Sequence, residues 1–471
     1  MMATSKPGAP GWETVVGLEV HCELATATKL FCGCRNAFGG EPNTYVCPVC
    51  LGLPGSLPVV NRAAVELAMR IGTALQCEIR PSVFHRKNYF YPDMPKDYQV
   101  SQYDEPINVD GHLELPDGSR VGIVRAHMEE DTGKTTHVGE SGRIHGASYA
   151  LVDYNRAGVP LVEIVSAPDI RSGEQAKAYV NELRAILVAV GASDARMEEG
   201  SLRVDANVSV RRPGEPLGTR AEIKNLNSVR SLVRAVEYEA CRQAELLEAG
   251  GRVVQETRHW DESAGRTSSL RTKEEAEDYR YFPEPDLAPL DWRIPIELPR
   301  LPAERRAALA ALARAGVDHR DVSLVVGEDL DGLVTVAVQA GIEARLALTR
   351  AANELVGRAA PPDAAAFVAT LRLEQEGRLT PTQSKQVLAK VMVDGGDPEA
   401  VARDLGFEAM AADTLASTVD DAIAAHAEEW NRYRLGEDKL TGFFVGKVMA
   451  ATAGKADGRA VTALLRQRRG S

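Results

Sequence analysis

Thr14-Val15-Val16-Gly17-Leu18-Glu19-Val20-His21-Cys22-Glu23-Leu24 alternates between apolar and polar side chains. Val16, Leu18, Val20, Cys22 and Leu24 fall on one side and Glu19, His21 and Glu23 on the other, the period of two imposed by a half-buried β-strand. Glu19 and His21 then sit ~7 Å apart on the polar side, within reach of a common ion. Arg203–Val210 repeats the pattern, with Val204, Ala206, Val208 and Val210 opposed to Arg203, Asp205, Asn207 and Ser209. Thr219–Asn225 does so again, Ala221 and Ile223 against Arg220, Glu222 and Lys224. A fourth segment, His127-Met128-Glu129-Glu130-Asp131, places three acids in a row. Each stretch alone is an ordinary strand with a solvated face. Four such faces rich in Glu, Asp, Asn and His point to a hard-cation site of the kind that serves ATP.

The chain has 471 residues and a formal charge of −12, enough for about two to four domains with ample core. That charge argues against a generic nucleic-acid coat protein but says nothing of local patches. The first residues carry no apolar signal core and no stretch approaches a membrane span, so the expectation is a cytoplasmic protein without a membrane partner. All seven cysteines precede residue 242, which in a cytosolic chain suggests metal rather than disulfides.

The first part reads as mixed α+β. Helices are expected over Asn61–Cys77, with Asn61 as N-cap, over Ser172–Val190, with a Ser172/Gln175 capping box, and from about Ser228 to Ala249. Six prolines between Pro283 and Pro302 mark a boundary. Beyond it, 36 alanines in the 169 residues from Ala303 and helical periodicity predict an all-α half.

Cys32-x-Cys34 and Cys47-Pro48-Val49-Cys50 are separated by twelve residues. Two close pairs of thiolates at that spacing converge on a tetrahedral Zn²⁺, and four sulfurs leave no open position, so the role is structural. Such an ion staples the loop-rich segment 31–58, which has too few apolar residues to hold itself. The alternative is four buried free cysteines. Thr132-Gly133-Lys134-Thr135 ends like a Walker A loop, but the position needing its first glycine is Met128, so a P-loop is declined.

Gly17-Leu18-Glu19-Val20-His21, His127–Asp131, Tyr154-Asn155-Arg156, Glu198–Asn207, Glu222–Asn227 and Asp278–Asp286 together resemble the GatB family, the B subunits of the tRNA-dependent amidotransferases. The resemblance runs from about Glu13 to the end. It implies a glutamine-synthetase-like cradle domain with an antiparallel sheet over 1–294, an all-α helical domain over 295–410, and a small YqeY-like tail over 411–471 that binds tRNA. It also implies a reaction. The side-chain carboxylate of Glu or Asp mischarged on tRNA(Gln) or tRNA(Asn) is phosphorylated by ATP, and ammonia then displaces the phosphate. Gly139–Ser148 is longer than is typical of the family and receives no role.

By resemblance, His21, Glu130 and Glu222 are the expected Mg²⁺ ligands, with Glu19 and Asp205 completing the acidic cluster. Glu129 and Asp131 point away from Glu130 in an extended segment and rank below it. Lys134, Arg203 and Lys224 are candidate phosphate contacts, against the plain reading of surface charges. His85–Pro92 mixes cations with aromatics, as a site for an unpaired acceptor end does; core packing of those rings is the alternative. The resemblance also places Lys87 and Lys96 on an ammonia path. Arg432–Ser471 holds nine Lys or Arg against three acids, which suits a phosphate backbone or a solvated helix face. No glutaminase apparatus is evident, so a partner of amidase type, the A subunit, must supply ammonia, and a small third member, the C subunit, should brace the pair. Two other readings are a non-catalytic zinc-containing tRNA-binding scaffold and a stand-alone carboxylate–amine ligase.

Overall fold

A computed structural model describes residues 11–139, 147–272, 279–313, 317–358, 361–407, 412–452, 456 and 458–470. Most of the long 139–148 segment, Asp278 of the 278–286 motif, and the expected 410/411 boundary fall outside them.

The alternating stretch at the start of the chain forms the strand Glu13–Glu23 near the middle of a large sheet. From one edge the order is Arg266–Thr272, Glu256–Asp261, Ala221–Leu226, Leu202–Arg211, Glu13–Glu23, Pro160–Ser166, Arg120–Glu130, Tyr98–Ser101, His85–Asn88 and Phe282–Pro283. Asn108–Glu114 pairs with both Arg120–Glu130 and Glu78–Ile79. The sheet is mixed rather than purely antiparallel. Ala221–Leu226 and Glu256–Asp261 run parallel, which requires a crossover, and the helix Val229–Glu248 supplies it.

One face of the sheet is covered by the helices Arg62–Ala74, Gly173–Ala189 and Val229–Glu248. Their Met69, Leu183 and Leu232 share a core with Val16, Leu18, Val20, Val204 and Val208. Truncating one of these side chains to Ala costs about 2–5 kcal/mol. The helix starts follow the expected caps: Asn61, Ser172 and Ser228 accept from Ala63, Gln175 and Ser231 N–H groups. The Ser172/Gln175 box is not closed as expected, because the Gln175 side chain accepts from Arg171 N–H at 2.7 Å instead.

The proline-rich segment is not a free linker. Leu287, Leu290, Ile294, Ile296, Leu298 and Leu301 pack against the first core, and the first compact unit ends at Ala303. The second, Glu304–Ser471, has only helices as regular elements among its described residues. Its apolar side chains gather in clusters spanning Leu309–Leu388, Ala366–Phe407 and Leu415–Leu465.

Candidate functional site

The sheet face opposite the helices carries the chemistry. Register ties it together across antiparallel neighbours, whose paired side chains share a face. Glu19 lies opposite Asp205, His21 opposite both Arg203 and Glu163, His127 opposite Glu163, and Asn207 opposite Glu222.

His21, Glu129 and Glu163 each offer a ligand atom, and these atoms lie within 4.8 Å of one another. One imidazole nitrogen and two carboxylates form a hard donor set that fits Mg²⁺ and leaves positions for water or phosphate oxygens. The fully buried His127 braces them, its Nε2 at 3.2 Å from both Glu129 and Glu163. Burial alone would lower its pKa, but the Glu163 charge and the hydrogen bond to Glu129 outweigh that and push it up to about 9. Burial would conversely raise Glu163, and the His127 charge holds it well below the usual carboxylate range.

A second group of acids adjoins this one. Asn207 Nδ2 donates to Glu19 at 2.9 Å, Lys224 Nζ lies 2.6 Å from Asp205 and 3.1 Å from Glu222, and Thr257 Oγ1 donates to Glu222 at 3.1 Å. Desolvation disfavours the Lys224 charge, yet Asp205 and Glu222 raise its pKa, so it remains a cation. Further along the face, Arg203 Nη2 meets Asp131 at 2.6 Å, and Arg156 holds the same carboxylate at 3.0 Å. Beside them Glu23 is pushed up to about 7, first by burial and then by Asp131.

Glu130 does not join these residues. It follows Glu129 in the same strand, so its side chain projects to the other face. There it accepts from Lys96 Nζ and, at 2.9 Å, from Val100 N–H. A cavity of about 70 Å³ adjoins it, lined by Cys32, Cys50, Lys96, Tyr98 and Val100 among others. Glu129 takes the position expected of Glu130. Lys134 is also displaced: it lies exposed on the ribbon Lys134–Gly139/Ala147–Asp153, a sheet separate from the main one, opposite Asp153.

Alternation does not reveal Glu163. Its strand, Pro160-Leu161-Val162-Glu163-Ile164-Val165-Ser166, has no polar alternation. The available signal was a single acid centred in an apolar run, which a buried strand accepts only if the charge is paired or ligating.

The four cysteines converge, their Sγ atoms within 4.8 Å of one another, a cluster that could hold a metal. The hydrogen bond from Cys32 and the nearby Lys29 ammonium lower the Cys50 thiol to about 5. Lys29 is fully buried, donating to the Tyr45 carbonyl at 2.7 Å. Within His85–Pro92, core packing fails for two rings: Phe90 is 64% exposed and Tyr91 45%. Among the described residues no helix is long and apolar enough to cross a membrane.

With this geometry in hand, comparison with known proteins is specific. Residues 14–294 match the GatB/GatE catalytic domain and residues 348–468 the GatB domain. The B subunit of the aspartyl/glutamyl-tRNA(Asn/Gln) amidotransferase of Frankia casuarinae is 51% identical over 489 aligned positions, covering 98% of this chain and 96% of the relative. Its counterpart in Salinispora arenicola is 48% identical, covering all of both chains, and that in Mycobacterium avium 49%, covering 96% and 95%. The chain therefore belongs to the GatB family, the B subunits of the tRNA amidotransferases.

Proposed function

We propose that this chain, as the B subunit of a ligase-type tRNA-amidating enzyme, uses ATP to phosphorylate the side-chain carboxylate of Glu-tRNA(Gln), Asp-tRNA(Asn) or both. Ammonia then converts the acyl phosphate to the amide. The observation that carries this reading is the convergence of His21, Glu129 and Glu163 beside Glu19, Asp205 and Glu222 on one sheet face.

The nucleophile is a carboxylate, already ionised at neutral pH, so the site needs no general base. Its difficulty is the approach of one anion to another. His21, Glu129 and Glu163 would hold Mg²⁺ here, and the ion would supply charge neutralisation for phosphoryl transfer. Lys224 and Arg203 are cations on the same face and take phosphate oxygens; Asp205 and Asp131 hold them in place. His127 keeps both ligand carboxylates oriented, as outer-shell partners of metal ligands do. A substrate carboxylate oxygen attacks the γ-phosphorus, ADP leaves, ammonia adds to the acyl carbon, and phosphate departs.

Ammonia comes from a glutaminase of amidase type, the A subunit, while the small C subunit holds the assembly together. Lys96, paired with Glu130 behind the site, and Lys87 lie on its path. Cys32, Cys34, Cys47 and Cys50 would hold a structural Zn²⁺. The cradle, helical and YqeY-like divisions are 1–294, 295–410 and 411–471, with the start of the second, through Leu301, still packed on the cradle core and the last division meeting the tRNA body. In the reconstituted complex, Mg²⁺-dependent ATP cleavage should be stimulated by misacylated tRNA and not by correctly charged tRNA. Equal turnover with both would sink the proposal.

A further inference from the structure

We infer that the rim formed by the exposed Phe90, Tyr91 and Arg280 and the half-buried Tyr279, with Lys87 at its inner end, seats the unpaired 3′-terminal nucleotides of the aminoacylated RNA. This rests on the amidation reading above and deepens it by locating where the acceptor end lies.

Two segments distant in sequence make the rim. The strand His85–Asn88 ends in Asn88, whose Nδ2 donates to the carbonyls of Tyr279 at 2.8 Å and Arg280 at 2.9 Å. That clamp holds Arg280 at φ +47°, a left-handed conformation uncommon for a residue other than glycine. Lys87 Nζ then sits 4.7 Å from the Tyr279 ring centroid, and the Arg280 guanidinium 5.9 Å from that of Phe90. The Tyr89 and Tyr91 rings lie 4.6 Å apart, and Phe90 and Tyr91 present much of their area to solvent.

Exposed rings alternating with cations match single-stranded nucleic acid, whose bases stack on aromatic faces while its phosphates meet the charges. A paired base inside a helix has both faces covered by neighbours, so only unpaired nucleotides can use such rings. Position favours the terminal ones. Lys87 lies opposite Gln99, and Gln99 Nε2 donates to Glu129 at 3.2 Å, so the inner end of the rim abuts the proposed metal ligands. Lys87 and Phe90 are three residues apart, a span of at most about 10 Å along the chain. The reacting carboxylate and the terminal base are likewise separated by the aminoacyl ester and a ribose.

The test uses the complete amidotransferase complex carrying Phe90→Ala and Tyr91→Ala together, with ammonium chloride as nitrogen donor so that glutamine hydrolysis is bypassed. KM for misacylated tRNA should rise about 5- to 150-fold, the range per stacked base. KM for ATP, the melting temperature and assembly of the complex should stay as in wild type, and Phe90→Trp should retain most of the affinity. A rise in KM for ATP instead would assign the rings to the nucleotide's own adenine. Dissociation of the complex on gel filtration would make the rim an interface between its protein chains, and unchanged constants would leave it as solvated surface; each result overturns the inference. Failure of the wild-type complex to amidate misacylated tRNA at all would instead defeat the reading it rests on.

Discussion

Glu129→Gln and Glu130→Gln alter adjacent residues of one strand and should have opposite consequences. Glu129 supplies one of three ligand atoms clustered within 4.8 Å and is 4% exposed. Losing a preorganised electrostatic contact of this kind costs about 10²- to 10³-fold in kcat, or about 3–4 kcal/mol of transition-state stabilisation. Glu130 lies behind the sheet with Lys96, whose side chain is 9% exposed. Removing its charge leaves a buried ammonium without its carboxylate, a stability loss of about 3–5 kcal/mol. The assay is tRNA-dependent ADP formation with ammonium chloride, alongside thermal unfolding. Glu129→Gln should unfold near the wild-type temperature and lose ATP cleavage. Glu130→Gln should unfold roughly 10 °C earlier yet cleave ATP within about threefold of wild type while folded, the modest residual reflecting its distance from charge development. Pairing it with Lys96→Met, which removes the stranded cation, should restore much of the melting temperature. Loss of ATP cleavage in Glu130→Gln with retention in Glu129→Gln would refute the assignment of the two faces.

Gly72→Ala should destabilise the first unit by about 1–3 kcal/mol although alanine is the better helix former, because its Cβ would fall 1.9 Å from Asn108 Oδ1; a lower urea midpoint at unchanged m is the readout. Glu239→Ala should cost about 3–5 kcal/mol, since this fully buried carboxylate pairs with Arg242 and Arg258 and ties the crossover helix to the edge strands; differential scanning calorimetry measures it. In the tail, Arg432, Arg468 and Arg469 are engaged with Glu437, Asp420 and Asp438, so the test belongs to the exposed Arg434, Lys439, Lys447 and Arg466. Changing these four to Gln should raise KM for tRNA and flatten the log–log salt dependence of affinity by about 0.9 per lost phosphate contact; an unchanged slope would leave the tail as a solvated surface.

Much of the sheet was legible because its strands bury one face, and alternation then fixes which side chains share the other. Alternation puts Glu19, His21, Arg203, Asp205, Glu222 and Lys224 on the polar sides of their strands, and the register brings them onto one face. The same logic separates Glu129 from Glu130, but alternation gives only relative parity. Which of the two faces His21 depends on pairing through Pro160–Ser166, where Glu163 lies opposite both His21 and His127. That strand is buried on both sides over most of its length, so it carries no alternation to read. The parallel pairing across the crossover helix was hidden for a similar reason: strand order is a tertiary property, and local pattern does not encode it.

The strand Arg120–Glu130 stands between two donor sets of different chemistry. In front are imidazole and carboxylates around Glu129; behind are the cavity beside Glu130 and the thiolates Cys32 and Cys50 that help line it. Hard oxygen donors select Mg²⁺ and soft thiolates select Zn²⁺, so each ion should keep to its side of the sheet without further discrimination. The two should also differ in exchange. Mg²⁺ retains water and leaves readily, whereas four thiolates close a tetrahedron whose binding free energy is also folding free energy. Brief dialysis against EDTA should therefore abolish ATP cleavage, and Mg²⁺ alone should restore it, with one zinc per chain present throughout by metal analysis. Cys47→Ser, leaving three sulfurs, should lower zinc content and melting temperature together while the remaining folded protein still cleaves ATP. A chain whose ATP cleavage returned only on adding zinc would place the catalytic ion among the thiolates and reverse the two faces.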